Sequence, residues 1–428
     1  MPIDFTSLIP TFYKQHLELI DSALKNAGFE CYLVGGSVRD LVMNRIPKEY
    51  DLTTNAEPKQ IKKLFRTVID TGIEHGTVTI VLDKVNYEVT TYRIDKDYID
   101  GRRPEHVEFG TTLHEDLKRR DFTMNALAYD IQTGILIDDH LGIQDIHNKI
   151  IRTIGNPIKR FTEDGLRPIR ALRFASTLNF TIEEETKRAI HLTKHITKKI
   201  SLERFQDEIL KSFLGDKPSK MIELLVEENI FSIFIPTFPI DLNPNHITLN
   251  RLNEIHKDLV GLQLAYTFFS LLPNLDQKEL ENHLRTLKFS GQNIKDSLLF
   301  FDLIRKWTNI PNPNDTNEFT FKKDYLAPVK RHFANRYQLD AEFFERLSPI
   351  FGSNIERMVS IWNENPPLLL SDLTINGNHL SEHFPNLPKI KFGEVLNFLL
   401  DLVLVSPKEN EFHNLITQSA EFINKLSE

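Results

Sequence analysis

Residues 32–56 read YLVGGSVRDLVMNRIPKEYDLTTNA and bring together two kinds of chemistry. Glu49 and Asp51 stand two positions apart. On a strand, such acids share one face. There they repel each other unless a cation lies between them. Mg²⁺ suits a site built from a few carboxylates and substrate phosphate oxygens. Two such ions, about 4 Å apart, clamp the attacking and leaving oxygens of a phosphoryl transfer. Glu88, in NYEVTTYR, offers a third carboxylate from a neighbouring strand. Upstream, Gly35-Gly36 lets the backbone approach a ligand or adopt positive φ. A helix opening near Ser37 would turn its free N–H groups towards an anion. Arg39, in its first turn, would reach a phosphate as a bidentate donor. This is not the phosphate loop of GxxxxGK[ST] type.

Further along, Asp164-x-x-Arg167-x-x-Arg170-x-x-Arg173 is written into RFTEDGLRPIRALRFA. Steps of three on a helix make each residue a neighbour of the next. The row drifts by about 60° per step and so wraps the helix. Asp accepts hydrogen bonds and Arg donates them. Cytosine and adenine each present an amino donor beside a ring-nitrogen acceptor, whereas guanine and uracil present the reverse order. One Asp164/Arg167 pair would therefore take CTP and ATP and refuse GTP and UTP without a template. Arg170 and Arg173 would then serve the triphosphate. Taken singly, each pattern more often describes a solvated surface. The glycine turn upstream raises the weight of the acid pair, and the order of motifs along the chain reverses the reading of the Asp–Arg row.

These residues need elements to hold them. The first 155 residues have an α/β character. Residues 10–27 carry helical apolar spacing, and CYLVGG, TVTIVLD and YEVTTYRI read as strands, punctuated by Gly35, Gly72, Gly76 and Gly101. From about residue 160 glycine becomes rare and amphipathic segments dominate. Thr181-Ile182-Glu183-Glu184 predicts a capping box opening a helix. SLERFQDEILKSFL, 201–214, places Leu202, Phe205, Ile209, Leu210 and Phe213 on one face. PNPNDTN, 311–317, reads as a linker.

A chain of 428 residues exceeds one ordinary core and predicts two or more domains. Hydrophobic content of 40% and charged content of 26% are those of a globular protein. The one cysteine, Cys31, excludes a disulfide framework and points to a reducing, cytoplasmic setting. The N-terminus lacks the basic and apolar regions of a signal peptide. FLLDLVLV, near residue 400, is too short to span a bilayer. A net charge of −8 argues against bulk nucleic-acid binding. Residues 151–213, however, hold 13 Lys/Arg against 8 Asp/Glu, a basic island of +5 in an acidic chain.

GGSVRD followed by EYDLTTNA resembles the first motif of the class II tRNA nucleotidyltransferases (CCA-adding enzymes) and bacterial poly(A) polymerases, within the polymerase-β-like superfamily. LKRRDFTMNALAYD (117–130), DHLGIQDI (139–146), RFTEDGLRPIRALRFA (160–175) and LERFQDEILK (202–211) resemble the family's later motifs in order. GIEHGTVTIV and residues 93–109 resemble its strands and flexible loop. The resemblance implies an α+β head, a small mixed sheet with helices, followed by an elongated, mostly α-helical neck, body and tail. The expected divisions are a catalytic head at 1–155, a base-selecting neck at 156–215, a body at 216–325 and a tRNA-binding tail at 326–428.

It also implies roles. Glu49 and Asp51 become the catalytic, metal-holding carboxylates, with Mg²⁺ as cofactor. Gly36, Arg39, Arg120, Asp164, Arg167, Arg170 and Arg173 bind the nucleotide. Asp121 and Asn125 either order the turn after Arg120 or touch the sugar. The substrates are CTP, ATP and the 3′ end of tRNA, with neither a membrane nor an obligate protein partner. The family writes D-x-D where this chain has Glu49, which puts metal preference and rate in question. Three activities fit: addition of C, C and A, addition of the terminal A alone, and poly(A) synthesis. An inactive RNA-binding relative is the outlying reading. Residues 372–410 resemble the tail of bacterial CCA-adding enzymes, with Gly377, Gly393 and Asn410 in familiar positions. Lys330, Arg331, Lys389 and Lys391 are its candidate phosphate contacts. His256-Lys257-Asp258 lacks the partners of a metal-dependent phosphohydrolase and reads as helix surface.

Overall fold

The computed structural model describes residues 4–96, 106–243, 245–308, 316–352 and 354–427. The chain divides into two compact units, Met1–Asn243 with Thr286–Lys288, and Pro244–Arg285 with Phe289–Glu428.

The first unit opens with α1 (Thr11–Asn26), whose His16, Leu17, Ile20 and Leu24 are buried. Its strands are β1 (Tyr32–Val34), β2 (Asp51–Thr54), β3 (Val68–Gly72), β4 (Thr77–Leu82), β5 (Val85–Thr91), β6 (Arg93–Lys96), β7 (His106–Phe109), β8 (Leu127–Tyr129), β9 (Leu136–Asp138), β10 (Ile150–Ile151) and β11 (Thr181–Ile182). Seven of them make one sheet in the order β3-β4-β5-β2-β1-β8-β9. β2 and β5 run parallel, and the other pairs of this sheet run antiparallel. The expected mixed sheet is thus present. Its helices are α2 (Gly36–Val42), α3 (Pro58–Leu64), α4 (Leu113–Lys118) and α5 (Gly142–Asn148). YEVTTYRI is two strands rather than one, because β5 ends at Thr91 and β6 pairs with β7 in a separate ribbon. Residues 97–105 of the expected loop lie outside the described residues.

Helices follow the head: α6 (Pro157–Glu163), α7 (Leu166–Thr177), α8 (Glu184–Leu192), α9 (Lys194–Thr197) and α10 (Leu202–Phe213). Ser201 caps α10 by accepting the Arg204 N–H. Phe205, Ile209 and Phe213 are buried along it, as the apolar spacing predicts. The capping box at residue 181 is a correction. Thr181 and Ile182 form β11, parallel to β10, and the helix begins at Glu184. Pairing Ile151 with Ile182 buries both side chains, which outweighs a local cap.

The second unit is helical among its described residues. In it, Val260–Leu271 lies so close to Gly291–Thr308 that a Cβ on Gly261 would meet the Asp296 Cβ at 2.4 Å. Phe398 and Phe422 stack at 4.1 Å between the last two long helices. Asn317 caps the helix Glu318–Phe321, and residues 311–315 of the expected linker lie outside the described residues. One further expectation is corrected here. His256 and Asp258 sit in a turn, 3.4 Å apart, not on a helix.

Candidate active site

β1 ends at Val34, opposite Asp51. The chain then turns at Gly35, with φ at +69°, into α2. An L side chain strains there, and its Cβ would stand 3.2 Å from the Arg120 Nη1. Because β1 stops, residues 49 and 50 have no strand partner. Asp51 is the first residue of β2, while Glu49 lies in the bend before it. The expectation of two strand carboxylates is corrected to one strand acid and one loop acid. Tyr50 between them is buried and packs on Tyr13 with ring centroids 5.2 Å apart. This arrangement fixes the backbone that carries both acids. Leu52 pairs with Val89, so the preceding residues, Asp51 and Glu88, fall side by side. Burial, then the charges of Glu88 and Glu49, push the Asp51 carboxyl up to about 6, against the pull of Arg120.

Glu49 and Asp51 open on a cavity of about 580 Å³ within the first unit. Gly36, Arg39, Arg120, Asp164, Arg167, Arg170 and Arg173 line the same cavity. Glu88 is exposed and stands off that lining. Eight arginines face four carboxylates across the space, a field suited to a polyanion.

Each arginine is held by specific partners. Arg39 lies one turn into α2, donating from Nη1 to the Asn125 Oδ1 at 2.9 Å and from Nη2 to Asp40 at 2.8 Å. Asp121 binds the Phe122 N–H and the Asn125 amide, which orders the turn, and also accepts the Arg170 Nε at 2.7 Å. Burial alone would raise the Asp121 carboxyl, but Arg170 keeps it below the usual carboxylate range. Asp116 has no exposed surface. It accepts the Arg119 Nη2 at 2.7 Å and the Arg120 Nη2 at 3.2 Å. Sequence reasoning missed Asp116, although an acid three and four residues before two arginines on a helix is the available signal.

The Asp–Arg row departs from the expected single helix. Asp164 ends α6 in extended backbone, and α7 begins at Leu166. The Asp164 Oδ1 accepts the Leu166 N–H at 3.0 Å and its Oδ2 accepts the Arg204 Nη2 at 3.0 Å. Arg167 is buried and donates to the Glu163 Oε2 at 2.7 Å and to the Arg119 carbonyl at 3.1 Å. Asp164 and Arg167 therefore share the cavity while pairing with other residues. Arg173 donates from Nε to Glu208, which is 1% exposed, and its guanidinium sits 3.9 Å from the Phe174 ring centroid. Arg204 and Glu208, one turn apart on α10, were also missed. Both lie within LERFQDEILK, whose apolar face drew the attention.

Among the described residues, no three metal-ligating side chains form a closed cage. A two-carboxylate site still fits a hard divalent cation whose remaining ligands are water and phosphate oxygens. Burial, then the charges of Glu88 and Glu49, raise the Asp51 carboxyl, and a bound cation would offset them.

Residues 31–152 match the Poly A polymerase head domain, and residues 179–240 match the model described as "Probable RNA and SrmB- binding site of polymerase A". The chain is 37% identical over 396 residues to the CCA-adding enzyme of Lactobacillus helveticus, covering 90% of this chain and 92% of that protein. It is 33% identical over 411 residues to the CCA-adding enzyme of Ligilactobacillus salivarius, covering 95% and 94%. The Bacillus stearothermophilus CCA-adding enzyme, solved in complex with CTP, superposes with a TM-score of 0.76 at 27% identity, over 97% of this chain and 98% of that one. Nucleotidyl transfer in this family implies use of a divalent metal. A head with paired carboxylates, a cationic cavity and relatives matched along nearly their whole length together place this chain in the family of CCA-adding tRNA nucleotidyltransferases.

Proposed function

We propose that the cavity between β2 and α7 carries out template-independent addition of C, C and A to the 3′ end of tRNA, drawing on CTP and ATP. The observation that carries this reading is the meeting of Glu49, Asp51, Asp164 and eight arginines around one cavity.

Asp164 accepts the exocyclic amino group of cytosine or adenine, and Arg167 donates to the adjacent ring nitrogen. Guanine and uracil would set donor against donor and acceptor against acceptor, leaving buried polar groups unpaired. Arg39, Arg120, Arg170 and Arg173 receive the triphosphate, and Gly36 lets the backbone come near it. Glu49 and Asp51 hold Mg²⁺. When bound, the cation lowers the pKa of the RNA 3′-hydroxyl and neutralises charge on the departing pyrophosphate. The 3′-hydroxyl gives up its proton to solvent, and its oxygen forms a bond to the α-phosphorus as the bond from α-phosphorus to the β-bridging oxygen breaks, releasing pyrophosphate. Positioning and electrostatics supply the rest, with no protein nucleophile.

Head, neck, body and tail, at 1–155, 156–215, 216–325 and 326–428, are the functional divisions of this reading. The tail would grip the tRNA body by phosphate contacts and read shape rather than sequence. Arg331, Lys389 and Lys391 are its candidate contacts. Lys330 is a weaker one, because its Nζ is engaged by Asp372 at 2.8 Å. Asn410 staples the tail by bonding the Asp372 carbonyl and the Thr374 N–H. A cytoplasmic setting, where the buried Cys31 stays a thiol, belongs to the same reading.

Titration calorimetry with each nucleotide and Mg²⁺ tests the site. CTP and ATP should bind at least about tenfold more tightly than UTP and GTP, a factor of roughly 1.4 kcal/mol. Equal affinity for all four would remove Asp164 and Arg167 from base selection.

A further inference from the structure

We infer that Arg204 is a positioning residue for base selection, setting the orientation of the Asp164 carboxylate that meets the base. This rests on the reading of Asp164 as a base-contacting group. Three observations support it. First, Asp164 follows the end of α6 in extended backbone and is not held by a helix of its own. Its carboxylate is oriented by two bonds, from the Leu166 N–H to Oδ1 and from the Arg204 Nη2 to Oδ2, each 3.0 Å. Second, both Asp164 and Arg204 line the nucleotide cavity. The Arg204 side chain remains about one quarter exposed, so the pair is open to a ligand rather than sealed in a core. Third, Arg204 is itself fixed. Ser201 caps its N–H, and one turn further along α10 the buried Glu208 receives Arg173. α10 thus presents, from successive turns, a cation to the acid of the row and an acid to its last cation.

A carboxylate has about four lone-pair sites. Bonds to Leu166 and Arg204 leave acceptor capacity for a base amino group, and they forbid rotation of the carboxyl plane. A carboxylate held in one plane keeps its free lone pairs aimed at the amino group of the base, so the pair guards discrimination as well as affinity. Without Arg204, the group that distinguishes an amino from a carbonyl loses both its fixed plane and its counter-charge.

The test compares CTP with UTP as kcat/KM for addition to a tRNA lacking its CCA, in wild type, Arg204→Ala, Arg204→Gln, Arg204→Lys, Asp164→Asn, and the Arg204→Ala/Asp164→Asn double variant. Circular dichroism and melting temperature report folding, and Arg204→Gln serves if Arg204→Ala does not fold. The expected result is a fall of about tenfold in the CTP preference for Arg204→Ala and Arg204→Gln, the loss of one charge-assisted hydrogen bond. The fall should lie mainly in KM for CTP. Arg204→Lys should restore part of it, since it keeps the charge without the planar fork. Adding Arg204→Ala to Asp164→Asn should produce no further fall. If Arg204→Ala slows CTP and UTP equally while Asp164→Asn still erodes the preference, Arg204 is structural and the inference is overturned. If Asp164→Asn leaves the preference intact, the base-selection reading itself fails, and this inference fails with it.

Discussion

At the scale of single residues, the proposed chemistry rests on the carboxylate pair. Asp51→Asn removes a proposed metal ligand while keeping the shape of β2, so kcat should fall at least about a hundredfold with nucleotide binding retained. Single-turnover assays beside calorimetry would separate the two effects. Glu49→Asp shortens the arm by one methylene but keeps the charge and should retain activity, whereas Glu49→Gln should behave like Asp51→Asn. Equal loss in both Glu49 variants would mean that reach, not charge, matters at this loop position. Asp51 also makes a prediction about stability. Its carboxyl is raised to about 6, so the ionised form costs stability in the metal-free protein. That cost is absent below the ordinary carboxylate range near 3.8 and fully present above about 6. In EDTA, Asp51→Asn should therefore gain on wild type as pH rises through this window, by roughly 2 kcal/mol after solvent screening. Excess Mg²⁺ should reverse the order, because only the ionised carboxylate binds metal. Melting temperatures of the two proteins at pH 4.5 and pH 7, two settings of about that spacing, give the comparison.

At the scale of elements, turns and buried partners hold the arginines in place. Gly35→Ala puts a side chain at φ +69° and crowds Arg120 at 3.2 Å. It should cost at least about 1 kcal/mol of stability and raise the KM for nucleotide, measured by melting and by steady-state kinetics. Glu208→Gln leaves the Arg173 guanidinium without its buried counter-charge. It should cost about 3 kcal/mol, read from urea denaturation. These elements also mark what was legible in the chain. The strand at Tyr32–Val34, the helix at Thr11–Asn26 and the apolar face of α10 follow from periodicity alone. Every proposed nucleotide and metal residue but Glu88 lies at the cavity, because each sits in a motif with a chemical reason for its spacing. What spacing could not supply was partners distant in sequence. Asp164 pairs with Arg204 across 40 residues and Arg39 bonds Asn125 across 86, so no local pattern records them. The misread capping box at Thr181 fails for the same reason, since a strand pairing 31 residues away claimed those residues.

At the scale of the whole molecule, an acidic chain with a basic island must bind RNA locally rather than over its entire surface. Affinity for tRNA should fall with salt through the few phosphates contacted, about tenfold or more between 50 and 200 mM. Filter binding at several salt concentrations gives the slope, and a flat response would contradict grip through Arg331, Lys389 and Lys391. Among the described residues, no helix is long and apolar enough to cross a membrane. The proposed function rests on the cationic cavity of the first unit, the acids at 49 and 51 and the proposed reading of cytosine and adenine by Asp164 and Arg167. All three meet in one experiment: a tRNA transcript lacking its 3′ CCA is incubated with Mg²⁺ and CTP, ATP or both, beside an unstructured RNA. C, C and A should be added to the tRNA, followed by a stop, with little action on the unstructured RNA. Long A tails on either RNA, or no product with Mg²⁺ or Mn²⁺ despite tRNA binding, would contradict it.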